Sequence, residues 1–357
     1  MRRRTVLAAG GCLLSAASAG CLETLRREDA WRELVVDPPD EVYVPPHADG
    51  MVTYGTATAD GREIALLASR PHSFWPVAGD ERSRADIRSR HALHLMVDVR
   101  DTETGAIVPS SVTAAIRRRD GAAEDGDLVD RRSLWPMLSQ RMGPHYGDNV
   151  PLEGDGTYSA TIRIGATSAD AVGALADGLE EPTTVDLEFE YEAAEIEGLE
   201  RRLIDEDEGR GDPDALEPMA DRGGERVEFA FDSERVTRFG SETNDGIVST
   251  AAFVESNRNG TAALAVALRT AHNRYPLPFA SLSATVSRAG EGIDGSSLQE
   301  TIDPRYGHHY RTSIDPGAFE RSDELSITLE TPPQLARHEG YETAFLERNT
   351  VAIPLDG

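Results

Sequence analysis

An all-β chain of two Ig-like antiparallel sandwiches is predicted by three observations. Short segments alternate polar and apolar residues, turn signals separate them, and almost nothing carries a helical period. Residues 184–191 (TVDLEFEY) alternate at period two, as a strand with one buried face must, and residues 158–164 do the same. Shorter strand candidates are 64–68, 93–99, 112–116, 227–231, 262–268, 282–286, 325–329 and 351–354. Asp60-Gly61, Asp120-Gly121, Asp155-Gly156 and Asn259-Gly260 supply turns. Only 169–179 and 194–204 look helical. Many short strands with polar turns favour sandwiches.

The elements before the first sandwich are an export signal and a tether. Arg2-Arg3-Arg4 precedes Thr5-Val6-Leu7 and a small-residue apolar run to Ala19, the pattern of a twin-arginine signal over residues 1–20. The run is too short for a stable membrane span. Ser18-Ala19-Gly20-Cys21 is a lipobox-like end, so Cys21 is expected to be lipidated. That places the body on the extracellular face of the membrane, lipid-anchored, with residues 21–40 as tether. The first sandwich is expected over 41–200 and the second over 226–357. Between them, residues 201–225 are charged and rich in Gly and Pro, and read as an acidic, solvated linker.

Composition removes several function classes. The only cysteines are Cys12, inside the signal, and Cys21, so the mature body has neither a disulfide nor a thiolate ligand. Cys-ligated zinc, iron–sulfur clusters, blue copper and a cysteine nucleophile are excluded. There are 36 basic and 63 acidic residues, a formal net charge of -27, and every basic residue is arginine. Removing residues 1–20 deletes three arginines and no acid, giving -27 - 3 = -30. Acids spread along the whole chain suit a haloarchaeal surface screened by molar salt and leave no basic stripe for nucleic acid. No Gly-x-Ser-x-Gly elbow, phosphate loop or His-Glu-x-x-His motif occurs, so no enzyme is expected. Asn259-Gly260-Thr261 is both a glycosylation sequon and a hairpin signal.

Two segments carry the chemistry. Residues 135–149 (WPMLSQRMGPHYGDN) read as a shaped loop that presents Met137, Met142 and His145. Soft sulfur beside imidazole suits copper or iron(II) better than calcium or magnesium. Residues 91–99 (HALHLMVDV) read as a strand that places His94, Met96 and Asp98 on one face and Leu93, Leu95 and Val97 on the other. Alone, each is as well explained by a surface histidine and core-filling methionines; together they hold three of the five methionines after the initiator. Residues 71–76 (PHSFWP) are aromatic-rich and could line a pocket, but read better as packing or a loop anchor, and His47 and Met51 lie after a Pro-Pro pair that disfavours a helix. The two halves share an order: a Pro-bearing strand, a spacer, His-Tyr (His145-Tyr146, His309-Tyr310), then an alternating strand.

These residues, with Pro109, Pro136-Met137 and residues 143–149 followed by 154–158 (GDGTY), resemble the periplasmic iron(II)-transport protein family over about residues 90–165. The resemblance implies an Ig-like protein that binds copper or iron beside a membrane iron permease, with dimers in the family. It implies ligands at His94, Met137 or Met142, and His145. The chain departs from the pattern where Met96 replaces a glutamate and Met142 an acidic residue. The pattern's Arg-His pair falls in the second half, as Arg337-His338, downstream of His309. Thioether in place of carboxylate favours Cu(I), so copper is at least as well supported as iron. Three arrangements stay open: a site in the first domain through His94, Met96, Met142 and His145, one site shared between halves through His309 and His338, or a second half that is only a structural duplicate. The competing reading is a structural or adhesive cell-envelope lipoprotein with no metal function.

Overall fold

The computed structural model describes residues 38–120, 126–219, 236–255, 262–314, 320 and 323–354. The signal, Cys21, most of the tether, the 227–231 strand and the Asn259-Gly260 turn lie outside these residues. The described chain is all-β, two antiparallel sandwiches in the expected class. No described helix is long and apolar enough to cross a membrane.

The first sandwich opposes a six-stranded and a four-stranded sheet. In spatial order the larger has Met51–Ala59, Arg62–Ser69, Leu93–Asp101, Gly143–Val150, Trp135–Ser139 and Ala336–Arg337. The smaller has Thr183–Tyr191, Gly156–Thr167, Ser110–Arg118 and Asp127–Ser133. Alternation sends Leu93, Leu95, Val97, Ile162, Ile164 and Phe189 into the shared core. His94, Met96 and Asp98 therefore lie on the outer face of the larger sheet. Asp60 and Gly61 have φ of 46° and 72°, which matches a two-residue hairpin to the twist of its strands.

In the second half, eight strands form one continuous path: Val236–Asn244, Ile247–Glu255, Ala262–Thr270, Gly307–Ile314, Glu291–Asp303, Ser281–Arg288, Glu324–Thr331 and Thr350–Pro354. The 13-residue Glu291–Asp303 strand belongs to both layers, pairing with Gly307–Ile314 through one end and with Ser281–Arg288 through the other. Both halves contain one device. Tyr146 Oη accepts from Ser110 N at 2.8 Å and donates to Val108 O at 3.1 Å; Tyr310 Oη accepts from Ala280 N at 3.0 Å and donates to Leu277 O at 2.8 Å. His145 Nδ1 and His309 Nδ1 likewise bond Gly143 O and Gly307 O, at 2.9 and 3.0 Å.

Four expectations are corrected. Residues 135–149 form a hairpin, not a loop: Met137 pairs with His145 and Trp135 with Gly147. Pro136 and Pro144 disguise it by composition. The 169–179 segment holds only the short turns Gly173–Leu175 and Ala176–Leu179, while Asp170–Ala171 pairs in parallel with Thr301–Ile302. In the 194–204 segment the helix is Ala193–Gly198, and Arg201–Leu203 is a strand paired with His47–Asp49. The proposed linker is thus folded as far as residue 219: Arg201 grips Asp49 with two bonds of 2.6 and 2.7 Å, and Gly211 N donates to Val44 O. Tertiary pairing overrides the local charge and Gly content.

His309 gives the second half an acid sensitivity. Burial, opposed by its bond to Gly307 O, pushes its pKa down from 6.5 to about 3. A group with a depressed folded pKa contributes fully above the unfolded value, here pH 6.5, and the contribution is lost as pH falls toward 3. Between those values this residue is expected to cost up to about 1.4 kcal/mol per pH unit. His309→Gln should flatten that part of the profile; an unchanged acid dependence of unfolding free energy would contradict the assignment.

Candidate metal centre

The outer face of the six-stranded sheet collects four imidazoles. His94 projects from Leu93–Asp101 and His145 from the neighbouring Gly143–Val150 strand, whose Asn149 pairs with His94 and Gly147 with Met96. His72 arrives on the segment after Arg62–Ser69, because Ser69 pairs with His94 and the chain then turns back over that residue. The fourth ring, His338, comes from the far end of the sequence. Ala336–Arg337 pairs in parallel with Met137–Leu138, which carries His338 onto the face. Ring centroids are 4.0 Å apart for His72–His94, 4.7 Å for His72–His338 and 5.5 Å for His145–His338.

In three of these rings a hydrogen bond engages Nδ1 and leaves Nε2 free. His145 Nδ1 donates to Gly143 O, His72 Nδ1 to Arg70 O at 3.2 Å, and His94 Nδ1 to Asn149 Oδ1 at 3.0 Å. Asn149 Nδ2 donates to His72 O at 2.8 Å, which fixes its amide so that the oxygen faces His94. The Nε2 atoms of His72, His94, His145 and His338 are all buried with no hydrogen-bond partner. An acceptor on Nδ1–H with a bare Nε2 is the support a metal-ligating imidazole needs. Burial first, and then the neighbouring imidazoles, hold His72 down at about 4 and His94 and His338 well below the ordinary range. Burial also lowers His145. At neutral pH the rings are uncharged, and in His72, His94 and His145 the bonded Nδ1–H leaves the lone pair on Nε2.

Gly147 is the hollow at the centre. A Cβ there would stand 2.7 Å from His94 Nε2 and 2.8 Å from Met137 Sδ. A histidine nitrogen and a thioether therefore face one point across a missing side chain. A cavity of about 90 Å³ adjoins it, lined among others by His47, Met51, His72, Met96, Met142 and His338. Among the described residues, no three or more His, Cys, Asp or Glu side chains already converge on a point that would hold an ion. His72 and His338 lie 20° from parallel, and stacked rings cannot both aim at one ion about 2.0 Å away. Ligation by all four imidazoles requires ring rotation.

Placement of the expected residues is therefore mixed. His94, His145, Met137 and His338 are brought together, and Met96 and Met142 line the adjoining cavity. His309 is not with them; it lines a separate cavity with Asp303, Tyr306 and Arg311. His72, Gly147 and Asn149 were not expected as site residues. Only the strand register that folds residue 72 over His94 reveals the first of them.

His338 is held by its neighbour. Arg337 is completely buried, and its guanidinium donates to Leu335 O (2.6 Å), Pro333 O (2.9 Å), Ala344 O (3.1 Å) and Phe345 O (3.3 Å). The turn between the two hairpin strands is clamped from the second half. Asn273 Nδ2 donates to Gln140 O at 2.6 Å, and Tyr275 Oη donates to Arg141 O at 3.2 Å. Gly340, with φ of 85°, lets the backbone pass against Tyr43 O and the Gln140 amide, where no side chain fits.

Residues 83–193 match the family model described as Fe2+ transport protein. That match covers the strands bearing His94, Met137 and His145. Residues 232–354, which include His338, match a domain of unknown function (DUF7350). Among solved structures the chain is similar to FetP of a uropathogenic Escherichia coli strain, as isolated, at 22% identity over 40% of this chain and 96% of that one, with a TM-score of 0.32. A copper-bound variant of FetP aligns at 20% identity over 40% and 97%, with a TM-score of 0.30. No curated protein matches the chain.

Two substitutions test the construction of the centre. Gly147→Ala places a methyl against His94 and Met137 and should cost about 1–3 kcal/mol in metal-free unfolding. Arg337→Met strands several buried carbonyls at about 1–3 kcal/mol each, so a loss under 1 kcal/mol in denaturant titration would contradict the anchoring role.

Proposed function

We propose that this chain is an extracytoplasmic metal-binding protein that takes up a copper or iron ion for a metal-transport system. The observation that carries the reading is the set of four buried, unpartnered Nε2 atoms gathered on one sheet face beside the Met137 thioether. Imidazole and thioether without a committed carboxylate form a borderline-to-soft donor set, which favours copper over magnesium, calcium or manganese. The nearest acid on the same strand, Asp98, is engaged by Arg100 at 2.9 Å. The match of residues 83–193 to the Fe2+ transport protein model supports a role in iron acquisition, with the metal as cargo. His338 makes the site a joint product of both halves, so neither sandwich alone would hold the ion.

In this reading the Arg2-Arg3-Arg4 signal exports the chain, lipid on Cys21 keeps it at the outer face of the cell membrane, and the ion passes to a membrane iron permease. The acidic surface, at a formal -27 - 3 = -30 once residues 1–20 are removed, favours cation approach and suits high salt.

Titration of the intact protein with Cu(I), Cu(II) and Fe(II) tests the proposal. One Cu(II) per chain is expected at this centre, with affinity falling at least about tenfold, roughly 1.4 kcal/mol, for His145→Ala and for His338→Ala. His309→Gln should bind as the wild type does. Equal affinity in the wild type and in a His72→Ala, His94→Ala, His145→Ala, His338→Ala chain would sink the reading and leave a structural envelope protein.

A further inference from the structure

Every methionine after the initiator lies at this face: Met51, Met96, Met137, Met142 and Met219. Met96 and Met142 pack together with Ala65 and Leu67, and Met51 and Met219 close over them. The four come from separate places in the chain. Met51 begins a strand whose partner is Ser69, Met96 sits opposite Leu67, Met142 is in the hairpin turn, and Met219 is held there by its N–H donating to Arg141 O at 2.9 Å.

Core filling does not account for the gathering. The cores of both sandwiches, as described, are built from Ile, Leu, Val, Ala, Tyr and Phe and contain no methionine. Were methionine serving this chain as an adaptable gap filler, some would sit in those larger cores. The thioethers also form a graded path. Met51 and Met219 are half-buried, whereas Met96 and Met142 are about as buried as the strands below them. Met51, Met96 and Met142 line the same cavity as His72 and His338.

We propose that Met51, Met96, Met142 and Met219 form a second, thioether-only site that takes Cu(I) from solvent and stands beside the imidazole centre. Neutral, polarisable sulfur ligands hold a soft monovalent cation and reject hard divalent ones. A buried uncharged ligand set also leaves no unpaired charge when the ion is away. The site contains no imidazole, so it stands or falls independently of the histidine centre.

The experiment is an anaerobic titration of the intact protein with Cu(I), and with Ag(I) as a redox-inert probe, alongside Cu(II). The wild type is expected to bind two Cu(I) or two Ag(I) per chain and one Cu(II). Met51→Leu combined with Met219→Leu conserves volume and should keep the fold, while losing one Cu(I) and one Ag(I) and keeping the Cu(II). The lost ion should show a sulfur-only first shell by X-ray absorption when bound to a His72→Ala, His145→Ala chain. Unchanged Cu(I) and Ag(I) stoichiometry in the methionine variant overturns the proposal. Wild-type protein that binds no Cu(II), yet binds Ag(I) in a methionine-dependent manner, overturns the histidine centre and supports this one.

Discussion

The Arg337 guanidinium, with no solvent exposure, donates to four main-chain carbonyls of the segments around it. Burial pulls its pKa down to about 9, so it still carries its charge at neutral pH, and that charge is met by carbonyl dipoles. The segment so folded has a fixed shape and presents Ala336–Arg337 as a ready edge for Met137–Leu138. From that pairing follow the position of His338, the burial of Gln140 under Gly340 and the cover over Met137 by Ala336 and Phe74. A two-residue strand by itself is marginal; here it is held by an ionic anchor on one side and by the hairpin on the other.

That constraint also explains why the two halves act as one body. Ile302 of the second half belongs to the first core, and Leu138 of the first half belongs to the second. Asp170–Ala171 pairs with Thr301–Ile302, and Arg311 bonds Asp170 at 2.5 Å. The hairpin that carries His145 therefore has the sandwich core beneath it and the second half across its turn. A strand fixed from both directions keeps its side chains where the register puts them.

Much of the fold was legible because alternation and turn chemistry are local. The strands around 93–99, 158–164 and 184–191 appeared where expected, and the strand parity of His94 and Met96 held. Gly143–Val150 and Glu291–Asp303 were not legible: one is rich in Gly, His and Asn, and the other in Ser and Gly, so pairing partners rather than propensity make them strands. His338 carried a signal as an Arg-His pair, but its destination depends on a contact about 200 positions away in sequence. His72 lay in an aromatic-rich stretch that could line a pocket, but nothing singled out its ring. Its role comes from a turn after Ser69 and from the Asn149 amide, which bonds its carbonyl and the His94 ring together.

The electrostatic setting reconciles a highly acidic protein with a site built from neutral donors. A carboxylate among the ligands would bind divalent cations of every kind, and in strong salt it would be screened or occupied by abundant hard ions. Glu339, the acid next to His338, is instead buried and pushed up to about 7, with Arg141 N donating to its Oε2 at 3.1 Å. Asp49 at the cavity edge is tied to Arg201 and Arg70. Asp49 is thus paired and Glu339 is held back from ionisation by burial, while acids at the surface draw cations in without selecting among them. Under the proposed function, selection falls to imidazole nitrogen and thioether sulfur, whose preference for soft ions does not depend on charge and survives high salt. Under the proposed function, methionine at positions 96 and 142 keeps carboxylate charge off this face of a chain whose formal net charge is -27.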